Sequence, residues 1–105
     1  MNVAEQVAAA MFAENPDGEQ QCELNLDGSV QIVRIFSGDE GSGVGTRAMR
    51  AATAIADQLG VALKLSPDGS YFEDEAAAET RLREWYARFG FKPLGIYEML
   101  RKTPA

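Results

Sequence analysis

Apolar positions recur along this chain with two different periods, and the switches between them lay out its elements. Val3, Val7, Ala10 and Met11 share one helical face, and Asn2 followed by Glu5 has the form of a capping box, so residues 2–14 are expected to form a helix. Asn15-Pro16-Asp17-Gly18 supplies the turn residues that stop it. Cys22, Leu24 and Leu26 then alternate with Glu23 and Asn25, the period of a half-buried strand. Asp27-Gly28 signals a hairpin, and residues 30–36 are apolar enough for a central strand.

After a Gly-rich loop the period lengthens. Val44, Ala48, Met49, Ala52, Ile55, Ala56 and Leu59 fit an amphipathic helix that Gly60 closes, and residues 61–65 form a short strand. A turn at Ser66-Pro67-Asp68-Gly69-Ser70 precedes a second amphipathic helix, with Ala78, Leu82, Trp85, Tyr86 and Phe89 on one face and Gly90 as its stop. Residues 91–102 fit two short strands about Pro93 and Gly95. The order α-β-β-α-β-α-β-β predicts a single α/β (α+β) domain over 1–105: one mixed sheet with helices on it and a central βαβ crossover spanning 30–65.

Composition narrows the chemistry. At 105 residues, 46% hydrophobic and 25% charged, the chain has the makeup of one globular domain with a real core. No apolar run approaches the ~20 residues of a membrane span, and Glu5 with no basic cluster ahead of the Ala-rich stretch does not read as a signal peptide, so a cytoplasmic location is expected. With no histidine and one cysteine, an internal disulfide, a zinc site and histidine-based catalysis are ruled out, and no metal is expected. The net charge of -6 argues against nucleic acid as a partner. Residues 1–40 carry eight carboxylates against Arg34 alone, whereas 41–105 carry nine Lys/Arg against eight Asp/Glu, so an anion is better received by the second part.

A strand that runs into a Gly-rich loop opening a helix can cradle an anion, because glycines admit close approach and unpaired amides point outward. A P-loop is excluded, since no lysine follows these glycines. Gly43-Val44-Gly45-Thr46-Arg47-Ala48 does match a dinucleotide fingerprint, but one crossover in 105 residues cannot build that fold. Glu40-Gly41-Ser42-Gly43-Val44-Gly45-Thr46 instead resembles the pyrophosphate loop of the GNAT N-acetyltransferases. The stretch Leu82-Arg83-Glu84-Trp85-Tyr86-Ala87-Arg88-Phe89-Gly90-Phe91 is similar to that family's second signature, a helix ending in Leu-Tyr-x-x-x-Gly-Phe. The two fall in the family's order and cover about residues 30–100; compact phage-encoded members look similar.

The resemblance implies that acetyl-CoA lies between splayed parallel strands, here 30–36 and 61–65, with Phe36, Gly41, Ser42, Gly43, Val44, Gly45, Thr46 and Arg47 as cofactor-binding positions and Tyr86 donating a proton to the departing thiolate. Three positions depart from the family pattern. Glu40 stands where Arg or Gln usually supports the pyrophosphate, a charge that Arg47 and Arg50 can offset. Glu79 stands where asparagine is common, and the N-terminal elements that shape an acceptor pocket are reduced to one helix. Trp85 and Phe89 are assigned to packing, and Cys22 to a buried small hydrophobe.

The general base is unassigned: Asp68, Glu73 and Asp74 flank the loop after the second splayed strand, and a water relay is an equal option. Asp68, Tyr71, Phe72 and Glu73 form the expected acceptor or partner loop, since two adjacent aromatics either cap the core or meet a partner. The expected function is transfer of acetyl from acetyl-CoA to an amine-bearing small molecule or protein acceptor by direct attack, with amides of strand 30–36 polarising the carbonyl. The acidic first part favours a cationic acceptor. The alternatives are a GNAT-fold module that grips a partner protein without turnover, and a plain α/β domain with a coincidental loop. A homodimer stays open.

Overall fold

The computed structural model describes residues 1–36, 43–69 and 73–104. Eight elements follow in the expected order: α1 (Val3–Glu14), β1 (Glu19–Leu24), β2 (Val30–Phe36), α2 (Val44–Leu59), β3 (Leu63–Leu65), α3 (Glu75–Ala87), β4 (Lys92–Leu94) and β5 (Glu98–Arg101). The strands form one mixed sheet in the order β1-β2-β3-β5-β4, with β2 and β3 parallel and the other neighbours antiparallel. The result is an α+β fold of three helices on a five-stranded sheet. No helix among the described residues is long and apolar enough to cross a membrane.

Local chemistry accounts for the boundaries. Asn2 and Glu5 close a reciprocal capping box on α1, with the Asn2 side chain accepting from the Glu5 N–H at 2.8 Å. Gly60 ends α2 in the left-handed region at φ 69°, which only glycine adopts cheaply, and the Val61 N–H returns to the Ala56 carbonyl. That bond withdraws Val61 from the sheet, so β3 starts at Leu63 rather than 61. Pro93 lies in β4 at the sheet edge, where its missing donor costs least.

The strand expected about Cys22, Leu24 and Leu26 differs most. β1 begins at Glu19, and Leu24 and Leu26 are exposed, the latter on the tip of a loop closed by the Asn25 N–H to the Ser29 carbonyl. The loop consumes five residues, so the alternation that points inward is Gln20 and Cys22. Opposite them β2 contains a bulge: Cys22 pairs with Ile32 and Gln21 with Arg34, leaving Val33 over. The extra residue reverses the phase of the strand. Val30 and Ile32 are buried before it; Ile35, rather than Arg34 or Phe36, packs on the core after it.

One face of the sheet therefore carries the core. Val30, Ile32, Leu63, Leu65 and Met99 join Ala4, Val7 and Met11 of α1, Ala48, Met49, Ala52 and Ala56 of α2 and Tyr86 of α3 in a single cluster. At roughly 25 cal/mol per Å² of apolar surface, each fully buried Met or Leu here contributes about 1.5–3 kcal/mol. The opposite face, with Gln31, Arg34, Phe36, Lys64, Glu98 and Leu100, has no buried residue among those described. Arg101 joins three elements: its guanidinium grips Asp57 of α2 at 2.8 and 3.0 Å, and its Nε donates to the Phe89 carbonyl beyond α3 at 2.8 Å.

Asn15 is the buried polar lock of the other edge. Its Nδ2 donates to the Phe36 carbonyl at 2.8 Å and to Gln20 Oε1 at 3.0 Å, fixing the end of β2 to the end of α1. Gly18 has to be glycine, since a β-carbon there would collide with that carbonyl and the Asn15 side chain. Asn15→Ala leaves buried groups unpaired, so stability is expected to fall by about 1–3 kcal/mol. In a thermal melt that is a drop of roughly 4–8 °C for each kcal/mol. An unchanged midpoint would mean that water satisfies the Phe36 carbonyl.

Candidate functional site

Because β2 and β3 are parallel, their C-terminal ends, the start of α2 and the approach to α3 share one end of the sheet. Register between the two strands holds only Val30 with Leu63 and Gln31 with Lys64; the rest of β2 runs on with no partner in β3. Val33 lies in that stretch with no register partner in β1 either, so its backbone groups stand outside both ladders.

At the same end α2 opens on Gly43, left-handed at φ 84° and without a side-chain cap. The first helical bond runs from the Arg47 N–H to the Gly43 carbonyl at 3.0 Å. The amides of Val44, Gly45 and Thr46 have no partner among the described residues. Three converging donors at the positive end of a helix dipole suit a phosphate or another anion. Gly45 lies in this first turn of α2, close to Trp85 of α3. A β-carbon there would lie 3.8 Å from the Trp85 indole, an ordinary contact distance, so the packing of α3 does not by itself require glycine.

Other expected site residues are placed as follows. Arg47 pairs with Glu14 at 3.8 Å, which ties α2 to α1 and diverts its charge. Arg50 is exposed. Phe36 is 42% exposed, with the Arg34 guanidinium 5.8 Å from its ring centre, on the uncovered face of the sheet. Asp68 and Glu73 are exposed, whereas Asp74 accepts from the Ala77 N–H at 3.1 Å as the N-cap of α3. That bond holds the Asp74 carboxylate at the start of α3. Glu79 pairs with Arg83 one turn on. Glu40, Gly41, Ser42, Tyr71 and Phe72 lie outside the described residues.

Tyr86 is 8% exposed, its ring packed against Trp85 at 5.1 Å and Phe91 at 6.0 Å. Its hydroxyl has no hydrogen-bond partner among the described residues, and burial pushes its pKa up to about 12. It is a neutral donor at any physiological pH. Burial likewise pushes the Cys22 thiol up to about 11, which makes it inert as a nucleophile. Two features escaped the pattern analysis. The bulge is foreshadowed by apolar positions at 30, 32, 33 and 35, a slip of phase within one strand. The reach of Trp85 to Gly45 has no sequence signal, since it depends on how α2 and α3 cross.

These elements define a class by geometry: a five-stranded α+β fold whose parallel pair ends beside an uncapped helix start. Among solved structures, the chain is similar to the crystal structure of the anti-CRISPR protein AcrVA5, with a TM-score of 0.60 and 18% identity, covering 81% of this chain and 90% of that one. At that identity the likeness is one of fold. No family model matches the chain, and no curated protein matches its sequence.

The raised values of Cys22 and Tyr86 set an alkaline limit on stability. Each group stays protonated in the folded chain at a pH where the unfolded chain has lost the proton. The contribution is therefore complete below pH 9 for Cys22 and below pH 10 for Tyr86, and is lost as pH rises toward about 11 and about 12. Melting temperature is expected to hold to pH 8.5 and to fall steeply from pH 9 to 12. Cys22→Ala should remove the earlier part of the fall and Tyr86→Phe the later part. A flat profile would show that neither group is desolvated.

Proposed function

We propose that the chain is a GNAT-type acyltransferase that moves acetyl from acetyl-CoA to an amine. The observation that carries this role is the juxtaposition at one sheet end: a strand with a bulged, unpaired segment leads toward three uncapped amides, beside a parallel strand whose ladder has already stopped. The crossover helix, following strand, second helix and two closing strands stand in the order that family uses.

The amides of Val44, Gly45 and Thr46 fit the pyrophosphate, contributing about 1.5–3 kcal/mol for each bond to a charged group. When bound, acetyl-CoA supplies an acetyl group activated as a thioester. The Val33 segment of β2 would hold the thioester carbonyl by a backbone N–H. Tyr86 would hold the sulfur through a hydrogen bond that its hydroxyl donates. A pKa of about 12 makes it a weak acid but a dependable hydrogen-bond donor, so its part is to orient and stabilise as much as to transfer. Deprotonation of the amine is left to solvent, and the chain's contribution is chiefly positioning.

A second role, a fold that grips a partner protein without turnover, is favoured by the departures of Glu40 and Glu79 from the family pattern and by the unassigned base. Thiol release from acetyl-CoA against polyamines, lysine peptides and partner proteins separates the two. Acetyl-CoA is expected to bind with micromolar affinity, near -8 kcal/mol. In Tyr86→Phe, turnover is expected to fall about 10- to 1,000-fold while affinity changes less than tenfold. Absence of any binding heat at millimolar acetyl-CoA would remove the enzymatic role. Binding without turnover for every acceptor would leave the gripping fold.

A further inference from the structure

One face of the sheet carries no buried residue among those described, although β2 and β3 run parallel and a parallel pair is ordinarily covered on both sides. Cross-strand register sets out what that face shows. Glu23 of β1, Gln31 of β2, Lys64 of β3, Leu100 of β5 and Lys92 of β4 stand in one row across all five strands. A second row, nearer the candidate site, has Gln21 beside Arg34 at one side and Glu98 beside Leu94 at the other. Charge is divided along both rows. The first runs from a carboxylate at the β1 edge to an ammonium at the β4 edge; the second has its guanidinium on β2 and its carboxylate on β5. Glu23, Lys92 and Glu98 form no ion pair with any described residue. Arg34 holds Glu19 by Nη1 at 3.2 Å and has guanidinium donors to spare. Lys64, at the centre, is held by its own Asp27 at 2.7 Å.

Such a face is its own complement. Turned over about a two-fold axis that runs along the central strand β3, each row falls on its own reverse in a second copy. Glu23 then meets Lys92 of the second copy, and Arg34 meets Glu98 of the second copy, each contact being made twice. Lys64 meets Lys64 of the second copy on the axis, where each ammonium is already neutralised by Asp27. An axis across the strands would instead set Glu23 on Glu23 and Lys92 on Lys92, so charge selects the first arrangement. Pairing edge to edge is disfavoured, since β4 is three residues long and contains Pro93, and β1 bears Glu19 and Glu23. We infer that the open sheet face is an interface between two copies of this chain, packed face to face with the charge pairs setting their register. Phe36, 42% exposed, and Leu94, 38% exposed, add apolar area to it. Strands of both copies run the same way about that axis, so the two candidate sites open at one end of the dimer.

Sedimentation equilibrium is expected to give twice the chain mass of 11.4 kDa at high concentration, with a Kd of about 1–100 µM. Glu23→Lys and Lys92→Glu should each weaken the dimer at least tenfold, because each turns two attractions into repulsions. Combined in one chain they should restore it to within about threefold of the parent. Both positions are exposed and leave the fold intact, which circular dichroism verifies. In the unaltered protein a carbodiimide should join the Glu23 carboxylate to the Lys92 amine. Within one sheet the two are four strand spacings apart, about 19 Å, so that amide forms only between copies. A monomer at millimolar concentration would overturn the interface and leave the face to solvent or to a different protein. A dimer that neither single reversal weakens, that the combined reversal does not restore, or that lacks the Glu23–Lys92 link would overturn it as well, as would an open-ended assembly. The interface does not rest on the acyltransferase role, which acetyl-CoA binding and thiol release test separately.

Discussion

The end of the sheet that carries the candidate site depends on one surplus residue in β2. Before Val33 the strand turns its apolar side to α2 and pairs with β3; after it, the strand pairs only with β1 and shows Arg34 and Phe36 on the uncovered face. A bulge bends a strand and frees its backbone, and here both effects fall where the parallel pair separates. The displaced half would fray if nothing held it. Asn15 holds it, by taking the Phe36 carbonyl into a buried bond that also fixes Gln20, and Gly18 admits that approach by having no side chain. A polar side chain at the end of the first helix thus determines the direction in which the strand delivers the chain to α2.

The fold was largely legible because most of its boundaries are local events. A capping box, a left-handed glycine after a helix and an Asp-Gly turn each act within a few residues, and the order of elements follows from them. The failures lie where distant groups compete. Leu24 and Leu26 alternate like a buried strand, yet the hairpin loop needs Leu26 at its tip, and the polar Gln20 takes an inward position because Asn15 is there to pair with it. The site was legible to the same degree. Gly43 and the amides after it were visible as a helix start. That Arg47 would be drawn to Glu14, and Asp74 to the start of α3, depends on which partners the fold brings near, and spacing does not encode that.

Charge follows the same division between structure and surface. The Asp27 carboxylate is held well below the usual range by Lys64 and Ser29, closing the β1–β2 loop onto β3, and Asp57 is held below it by Arg101. Such pairs gain modestly in solvent, and their use is to fix register and orientation. Arg101 does most, because its three bonds reach α2, β5 and the chain just past α3 at once. The spacing of α2 and α3 is therefore fixed from one end, and the opposite end, where Trp85 meets the first turn of α2, inherits that spacing.

What chemistry such an end can do is limited by what the chain lacks. With no histidine, no titrating side chain has its ordinary pKa near neutrality, and the buried Tyr86 hydroxyl holds its proton to about pH 12. Proton transfer cannot be the main source of rate under those conditions. Fixed donors can be: amides at a helix start, amides released by a bulge and a phenol that keeps its proton to about pH 12 all present positive ends of dipoles without needing to titrate. A site built of such groups gains from exclusion of water and accurate placement, which is where a bulge locked by Asn15 and a helix spacing locked by Arg101 act. The same features that stabilise the fold thereby set the precision on which any catalysis here rests.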